Sequence, residues 1–182
     1  MGIWIILAPV ALALIAFFFI AARDMKKNKQ SAQQKLASKG ASVMVTLPHT
    51  AGLPVPEKTP CELFYCDGHI EINGNGIQFT LDFSKIHDIC IKTSTEIHKQ
   101  LVSSAGGAIG GARLFGTLGA LIFGRVKERQ ITNTRHYLIF TYSKDSGDID
   151  YIGFEVEHQN RYVNYFVDEF SKRPQNVRSV IL

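Results

Sequence analysis

Cysteine is scarce in this chain. Cys61, Cys66 and Cys90 are the three among 182 residues. An odd, sparse count builds no disulfide framework and fits reduced thiols in a cytosolic domain. Cys61, Cys66 and His69 look like half of a metal site, but a closed zinc site takes four ligands and no fourth accompanies them. No metal is expected. Nucleotide signatures are missing as well. Gly106 and Gly111 have the glycine spacing of a phosphate-binding loop, but Ala112 and Arg113 stand where Lys and Ser/Thr are required. No dinucleotide fingerprint occurs, so no cofactor is expected. The histidines are His49, His69, His87, His98, His136 and His158, and none joins a Ser or Cys in a nucleophile motif. His87 and Asp88 are neighbours on an expected strand and point to opposite faces. The sequence therefore implies no enzyme and names no catalytic residue.

A charge excess is also missing from most of the chain. The net charge of +4 and the pI near 9.0 come from one end. Residues 1–40 hold six basic side chains and one acidic; the remainder holds fourteen basic and fifteen acidic. With no basic excess beyond residue 40 and no reading motif, nucleic acid is not an expected partner.

What is present in force is one apolar run. Residues 3–22, IWIILAPVALALIAFFFIAA, contain no charge. At ~1.5 Å per residue a helix of this length spans roughly 30 Å, the thickness of a bilayer's hydrocarbon core. Only Met1 and Gly2 precede the run, which is too long for a signal-peptide core and lacks its basic leader. A transmembrane anchor is the expectation, with Pro9 tolerable and Trp4 suited to an interface. Arg23, Lys26, Lys27, Lys29, Lys35 and Lys39 follow, against Asp24 alone. Basic residues stay on the cytoplasmic side, so the N-terminus is expected outside and the rest in the cytosol. Arg23, Lys26, Lys27 and Lys29 form a juxtamembrane patch attractive to anionic headgroups.

The expected layout is an anchor at 1–22, a basic and then proline-rich tether at 23–60, a domain at 61–173 and a tail at 174–182. Pro48, Pro54, Pro56 and Pro60 make the tether's second half read as irregular, with a short strand at Val43–Leu47. From Cys61 the apolar period becomes two. Glu62–Cys66 precedes the turn signal Asp67-Gly68, and Ile70 and Ile72 alternate. Asn73-Gly74-Asn75-Gly76 is a stronger turn signal. Ile77, Phe79 and Leu81 alternate next, and Ser84–Lys92 slips by one position, which implies a bulge. Arg125–Thr132 reads as a polar edge strand, His136–Tyr142 as a central one, and Ile149–Val156 as the last. Val163, Phe166, Val167 and Phe170 then make one stripe on a helix expected over Glu157–Lys172.

The segments DGHIEINGNGIQFTLDFSKIHDICIKT and RHYLIFTYSKDSGDIDYIGFEV, followed by the amphipathic helix, resemble the pleckstrin-homology (PH) superfold, in particular GRAM-like and bacterial PH-like domains. The resemblance covers about residues 61–173 without the glycine-rich insert. It implies a mainly-β (α+β) domain of about seven antiparallel strands capped by a C-terminal helix. Phosphoinositide-binding members carry Lys and Arg in the first hairpin loop. Here that loop is Cys66-Asp67-Gly68-His69, so recognition of that kind is not implied.

Residues 101–124, LVSSAGGAIGGARLFGTLGALIFG, place small residues every four positions, including Gly107, Gly111, Gly116 and Gly124. This spacing lets helix backbones approach closely in lipid. A single span would hold Arg113 near its middle, at a cost of ~2.5 kcal/mol or more. A helical hairpin, a structural insert over the sheet and a second span are the three readings. The whole is read as a single-pass, membrane-anchored binding or scaffolding module. Its partners are the bilayer, anionic lipid and a protein not identifiable from sequence. The rival reading is a membrane protein that oligomerises through residues 101–124.

Overall fold

The computed structural model describes residues 29–97, 134–157 and 160–173, together with Arg23 and Lys27. The expected anchor at 3–22, Lys26, the insert glycines, the expected strand at Arg125–Thr132 and the tail at 174–182 lie outside the described residues. The chain divides into two compact units between Ala41 and Ser42. In the first, residues 29–39 form a helix, α1, with Lys29 and Lys35 exposed. It stops at Gly40, whose φ of +58° turns the chain out of the helix, a conformation glycine adopts freely. Among the described residues no helix is long and apolar enough to cross a membrane.

The second unit is a seven-stranded antiparallel sheet with a C-terminal helix. Its strands are β1 (Ala41–Ala51), β2 (Pro60–Cys66), β3 (His69–Gly74), β4 (Ile77–Asp82), β5 (Ile86–Thr93), β6 (His136–Ser143) and β7 (Ile149–Val156), and helix α2 spans Arg161–Ser171. The order across the sheet is β4-β3-β2-β1-β7-β6-β5. Two meanders are thus joined through β1.

The long strand β1 corrects the tether reading. Val43–Leu47 is not a short strand in an irregular segment but part of eleven sheet residues. Val43, Val45, Leu47 and His49 alternate inward, and all four are buried; the register with β7 shifts after His49, and Ala51 is buried in a separate cluster. Pro48 sits inside this strand. Its missing donor signals an edge when read alone. The irregular stretch is confined to residues 52–59.

His49 holds that stretch. Its backbone N–H donates to the Thr59 carbonyl at 2.8 Å, and its carbonyl accepts from Lys58 N–H at 2.7 Å. Its Nε2 accepts from the Leu53 N–H at 3.2 Å, and Nδ1 lies 3.4 Å from the Pro56 carbonyl. The ring also meets Phe154 edge-on, with centroids 6.0 Å apart. Replacing His49 with alanine leaves the half-buried Leu53 amide without this acceptor. It is expected to lower stability by about 1–3 kcal/mol in a urea titration.

The β3–β4 turn forms as the sequence signals. Asn75 and Gly76 both have positive φ, +53° and +75°, between the paired residues Gly74 and Ile77. This is the two-residue turn whose twist matches an antiparallel ribbon. The slip in β5 is also real, and the pairing with β6 shifts between Ile86 and Asp88. β5 starts at Ile86 and not at Ser84, because Asp82 accepts from Ser84 N–H and turns Phe83–Lys85 into a single 3₁₀ turn. Helix α2 likewise starts at Arg161 and not at Glu157. Asn160 is extended and its side chain accepts from the Tyr162 N–H, which fixes the N-cap there.

Between the sheet and α2, Leu63, Ile70, Ile72, Leu138, Phe140, Phe154, Val163 and Phe166 are fully buried. Val163, Phe166 and Phe170 of α2 close this core, with Val167 packed at its margin. A second cluster, Ala51, Ile97, Tyr137, Ile139 and Tyr151, lies on the opposite face. The near-continuous apolar run of β6 thus feeds two layers. Leu138 and Phe140 point to one, Tyr137 and Ile139 to the other.

Candidate functional site

Among the described residues three places carry chemistry beyond packing: the neck at residues 93–97 and Arg135, the clamp at the end of α2, and the groove beside the β3–β4 turn.

At the neck, Thr93 pairs with His136 and His136 with Val156, so three strands end in line. The Ser94 N–H donates to the Arg135 carbonyl at 2.9 Å. The two ends of the intervening segment are therefore held one hydrogen bond apart. Thr93 also caps a helical start. Its Oγ1 accepts from the Glu96 N–H at 3.1 Å, while the Glu96 carboxylate accepts from the Thr93 N–H at 2.7 Å and from its hydroxyl at 2.8 Å. This reciprocal cap needs Ser/Thr three residues before Glu/Gln, and Thr93-Ser94-Thr95-Glu96 supplies it. The signal lies in the sequence and is hidden there by the strand that runs into it. These bonds hold the Glu96 carboxyl below its ordinary range, the backbone bond from Thr93 first. Arg135 pairs with Glu155 at 3.3 Å across the same end. Thr93→Ala is expected to remove about 1 kcal/mol of stability, readable as a lower urea midpoint.

At the clamp, Arg173 Nε donates to Tyr65 Oη at 3.0 Å and its NH2 group to the Asp67 carbonyl at 3.0 Å. The guanidinium lies 3.7 Å above the Phe83 ring. The first hairpin loop carries no Lys or Arg of its own, yet a cation sits against it, supplied by the residues after α2. That cation is engaged on Tyr65, Asp67 and Phe83.

Beside the β3–β4 turn, Thr46, Pro60, Glu62, Asn73, Asn75, Ile77 and Gln78 border an open groove of about 500 Å³. Its polar wall is a cross-strand row, since Glu62 pairs with Asn73 and Asn73 with Gln78. Ile77 is 43% exposed.

The expected lipid-contact residues Arg23, Lys27 and Lys29 are exposed. The structure does not bring Cys61, Cys66 and His69 together as a half-site. Cys61 and Cys66 are five positions apart in one strand, so they face opposite ways. Cys61 lies against Thr59, its Sγ 3.6 Å from that carbonyl, and opposite Gly74. Among the described residues no group of three His, Cys, Asp or Glu side chains could hold a metal.

Burial pushes the Cys90 thiol from 9.0 up to about 12, helped by Asp88, and the Tyr151 hydroxyl from 10.0 to about 12. Burial also raises Tyr65, Tyr137 and Tyr142. Each group loses its proton more readily unfolded than folded. Their contribution to stability is therefore complete below pH 9 and is lost as pH rises toward about 12. Thermal melts across that range are expected to show a falling midpoint, smaller in Cys90→Ser.

The class that the fold and these places define is a mainly-β domain with a seven-stranded antiparallel sheet and a C-terminal helix. No family model matches the sequence, and no curated protein matches it.

Proposed function

We propose that the chain is a membrane-anchored, non-catalytic binding or scaffolding module, with a PH-like domain facing the cytosol. The observation that carries the membrane part is the uncharged run at 3–22 followed by Arg23, Lys26, Lys27 and Lys29. Support for the PH-like part is the union of two meanders across one sheet with an amphipathic helix closing the core. The anchor fixes position, the basic patch meets anionic headgroups, and the sheet domain presents a surface to a protein partner. The test is membrane retention. The full chain should stay in the pellet after alkaline carbonate extraction, and deletion of residues 1–22 should release it. Retention of the deleted form would contradict the anchor reading.

The neck favours one account of the glycine-rich segment over another. A single crossing by residues 101–124 would leave β5 and β6 on opposite sides of a bilayer, although Thr93 and His136 are paired. A return excursion agrees with that pairing. In the rival function, this excursion assembles copies through Gly107, Gly111, Gly116 and Gly124. Detergent-stable oligomers that vanish in Gly107→Leu or Gly111→Leu would support it, and a monomeric wild type would count against it.

A further inference from the structure

We propose that residues 53–57 form an acid-sensitive flap, held shut by the neutral ring of His49 and loosened when that ring takes up a proton. His49 is 3% exposed, on the buried face of β1. Both ring nitrogens bond backbone groups of this one short segment. Nε2 lies 3.2 Å from the Leu53 nitrogen, and Nδ1 lies 3.4 Å from the Pro56 carbonyl oxygen. These partners fix the tautomer. A backbone N–H can only donate, so Nε2 must offer its lone pair; a carbonyl can only accept, so Nδ1 carries the proton. The latched ring is therefore neutral, and a second proton has only Nε2 to go to. There it sets two donors against each other, Nε2–H and the Leu53 N–H, and makes a buried cation of a buried neutral ring. The bond to Leu53 is lost, whereas the bond to Pro56 survives. An open flap takes up the proton without either cost, so falling pH shifts the balance from shut to open.

The segment has the ends of a flap. It lies between two residues in the left-handed region, Gly52 at φ +93° and Lys58 at φ +62°. Backbone bonds secure the chain at both ends. Ala51 pairs with Gly153 of β7. The Lys58 N–H donates to the His49 carbonyl at 2.7 Å, and the His49 N–H donates to the Thr59 carbonyl at 2.8 Å. These bonds contain no titratable atom, so acid leaves the ends in place and releases the middle. What the middle covers is apolar. Val55 is buried in the main core and Leu53 packs at its margin, so opening uncovers part of that core.

The other charged and titratable groups around the ring are accounted for. On the flap and at its end, Glu57 and Lys58 are exposed. On β7, Glu155 follows Phe154, whose ring meets His49, and so points to the other face. Asp150 of β7 pairs with Lys144, and Tyr151 lies in the opposite cluster. On β2, Cys61 lies against Thr59, Glu62 borders the groove, and Tyr65 is bonded to Arg173. Among the described residues it is His49 whose titratable atoms bond the backbone of the flap. The proposal does not depend on the membrane reading.

Nuclear magnetic resonance on the purified full-length chain tests it in two ways. The first reads the ring. At about pH 7.5, in the upper part of the range over which histidines ordinarily change charge, the nitrogen shifts of His49 should show a neutral imidazole protonated on Nδ1. A charged ring or the opposite tautomer overturns the proposal. The second reads amide exchange as protection factors, which remove the intrinsic effect of pH. Between about pH 7.5 and about pH 5, protection of the Leu53 amide should fall at least about ten-fold. Protection of the fully buried Ile72 and Phe140 should stay unchanged. In His49→Gln a side-chain oxygen can still accept from Leu53 but takes up no proton, so the fall should vanish. Equal protection of Leu53 at both pH values in the wild type overturns the proposal. So does a fall that persists in His49→Gln, or a loss shared by Ile72 and Phe140, which would be unfolding of the whole domain. The ring shifts and the wild-type exchange need no variant, so a folding defect in His49→Gln leaves the proposal refutable.

Discussion

Gly52→Ala is expected to lower the stability of the sheet domain by about 3 kcal/mol or more, enough to unfold a marginal variant. Two costs coincide at this residue. Its φ is +93°, a conformation that residues with a Cβ rarely adopt. A Cβ built there would also lie 1.9 Å from the Tyr151 carbonyl oxygen and 2.8 Å from Ile152 Cα. Both obstacles are backbone atoms of β7, which is paired with β1 on one side and β6 on the other. The strand cannot yield without breaking a ladder, so strain adds to conformation. Gly147 separates the two costs. Its φ is +84°, but a Cβ there meets nothing within 4 Å. Gly147→Ala is expected to cost about 1 kcal/mol, the conformational part alone. Urea midpoints of both variants, at unchanged transition slope, check the difference. Similar midpoints for the two would remove the clash from the account.

Phe166→Ala is the second large effect, expected at roughly 3–5 kcal/mol. Phe166 is fully buried on the inner side of α2. Its ring meets Tyr65 edge-on at 5.5 Å and Phe140 edge-on at 6.4 Å, so it touches both meanders of the sheet. Truncation opens a cavity where β2, β6 and α2 converge, and it also removes two favourable aromatic geometries. Phe166→Leu keeps most of the volume and is expected to lose less than half as much. The same denaturant series reads both. A small loss in Phe166→Ala would mean that α2 contributes little to closing the core.

How much of this was legible in the sequence depends on whether local or distant partners decide each element. Asn75-Gly76 declares its turn through φ preferences alone, and the alternation of Ile77, Phe79 and Leu81 declares β4. The stripe Val163, Phe166, Val167 and Phe170 declares α2, although its true start waits on the Asn160 cap. β1 was mostly hidden. Its inward residues alternate, but Pro48 and His49 weaken the pattern, and only its neighbours β2 and β7 explain an eleven-residue strand there. The strand order could not be read either, because antiparallel partners are chosen by contacts between residues as distant as His49 and Phe154. Of the candidate sites, the neck was half visible in Thr93-Ser94-Thr95-Glu96. Arg173 at the first hairpin loop was not visible, since it comes from the far end of the chain. The place of β4 at one end of the strand order among the described residues likewise has no local signature.

The most direct test of the central claim, a cytosolic domain held by an N-terminal anchor, is cysteine accessibility in intact cells. Single reporters at Gly2, Ser42 and Ser179 in a cysteine-free background would be treated with a membrane-impermeant maleimide. The account predicts labelling from outside at Gly2 alone, with Ser42 and Ser179 reacting only after lysis. Labelling of Ser42 in intact cells would contradict it by placing the sheet domain outside, and labelling of Ser179 without Ser42 would contradict the return excursion at the neck.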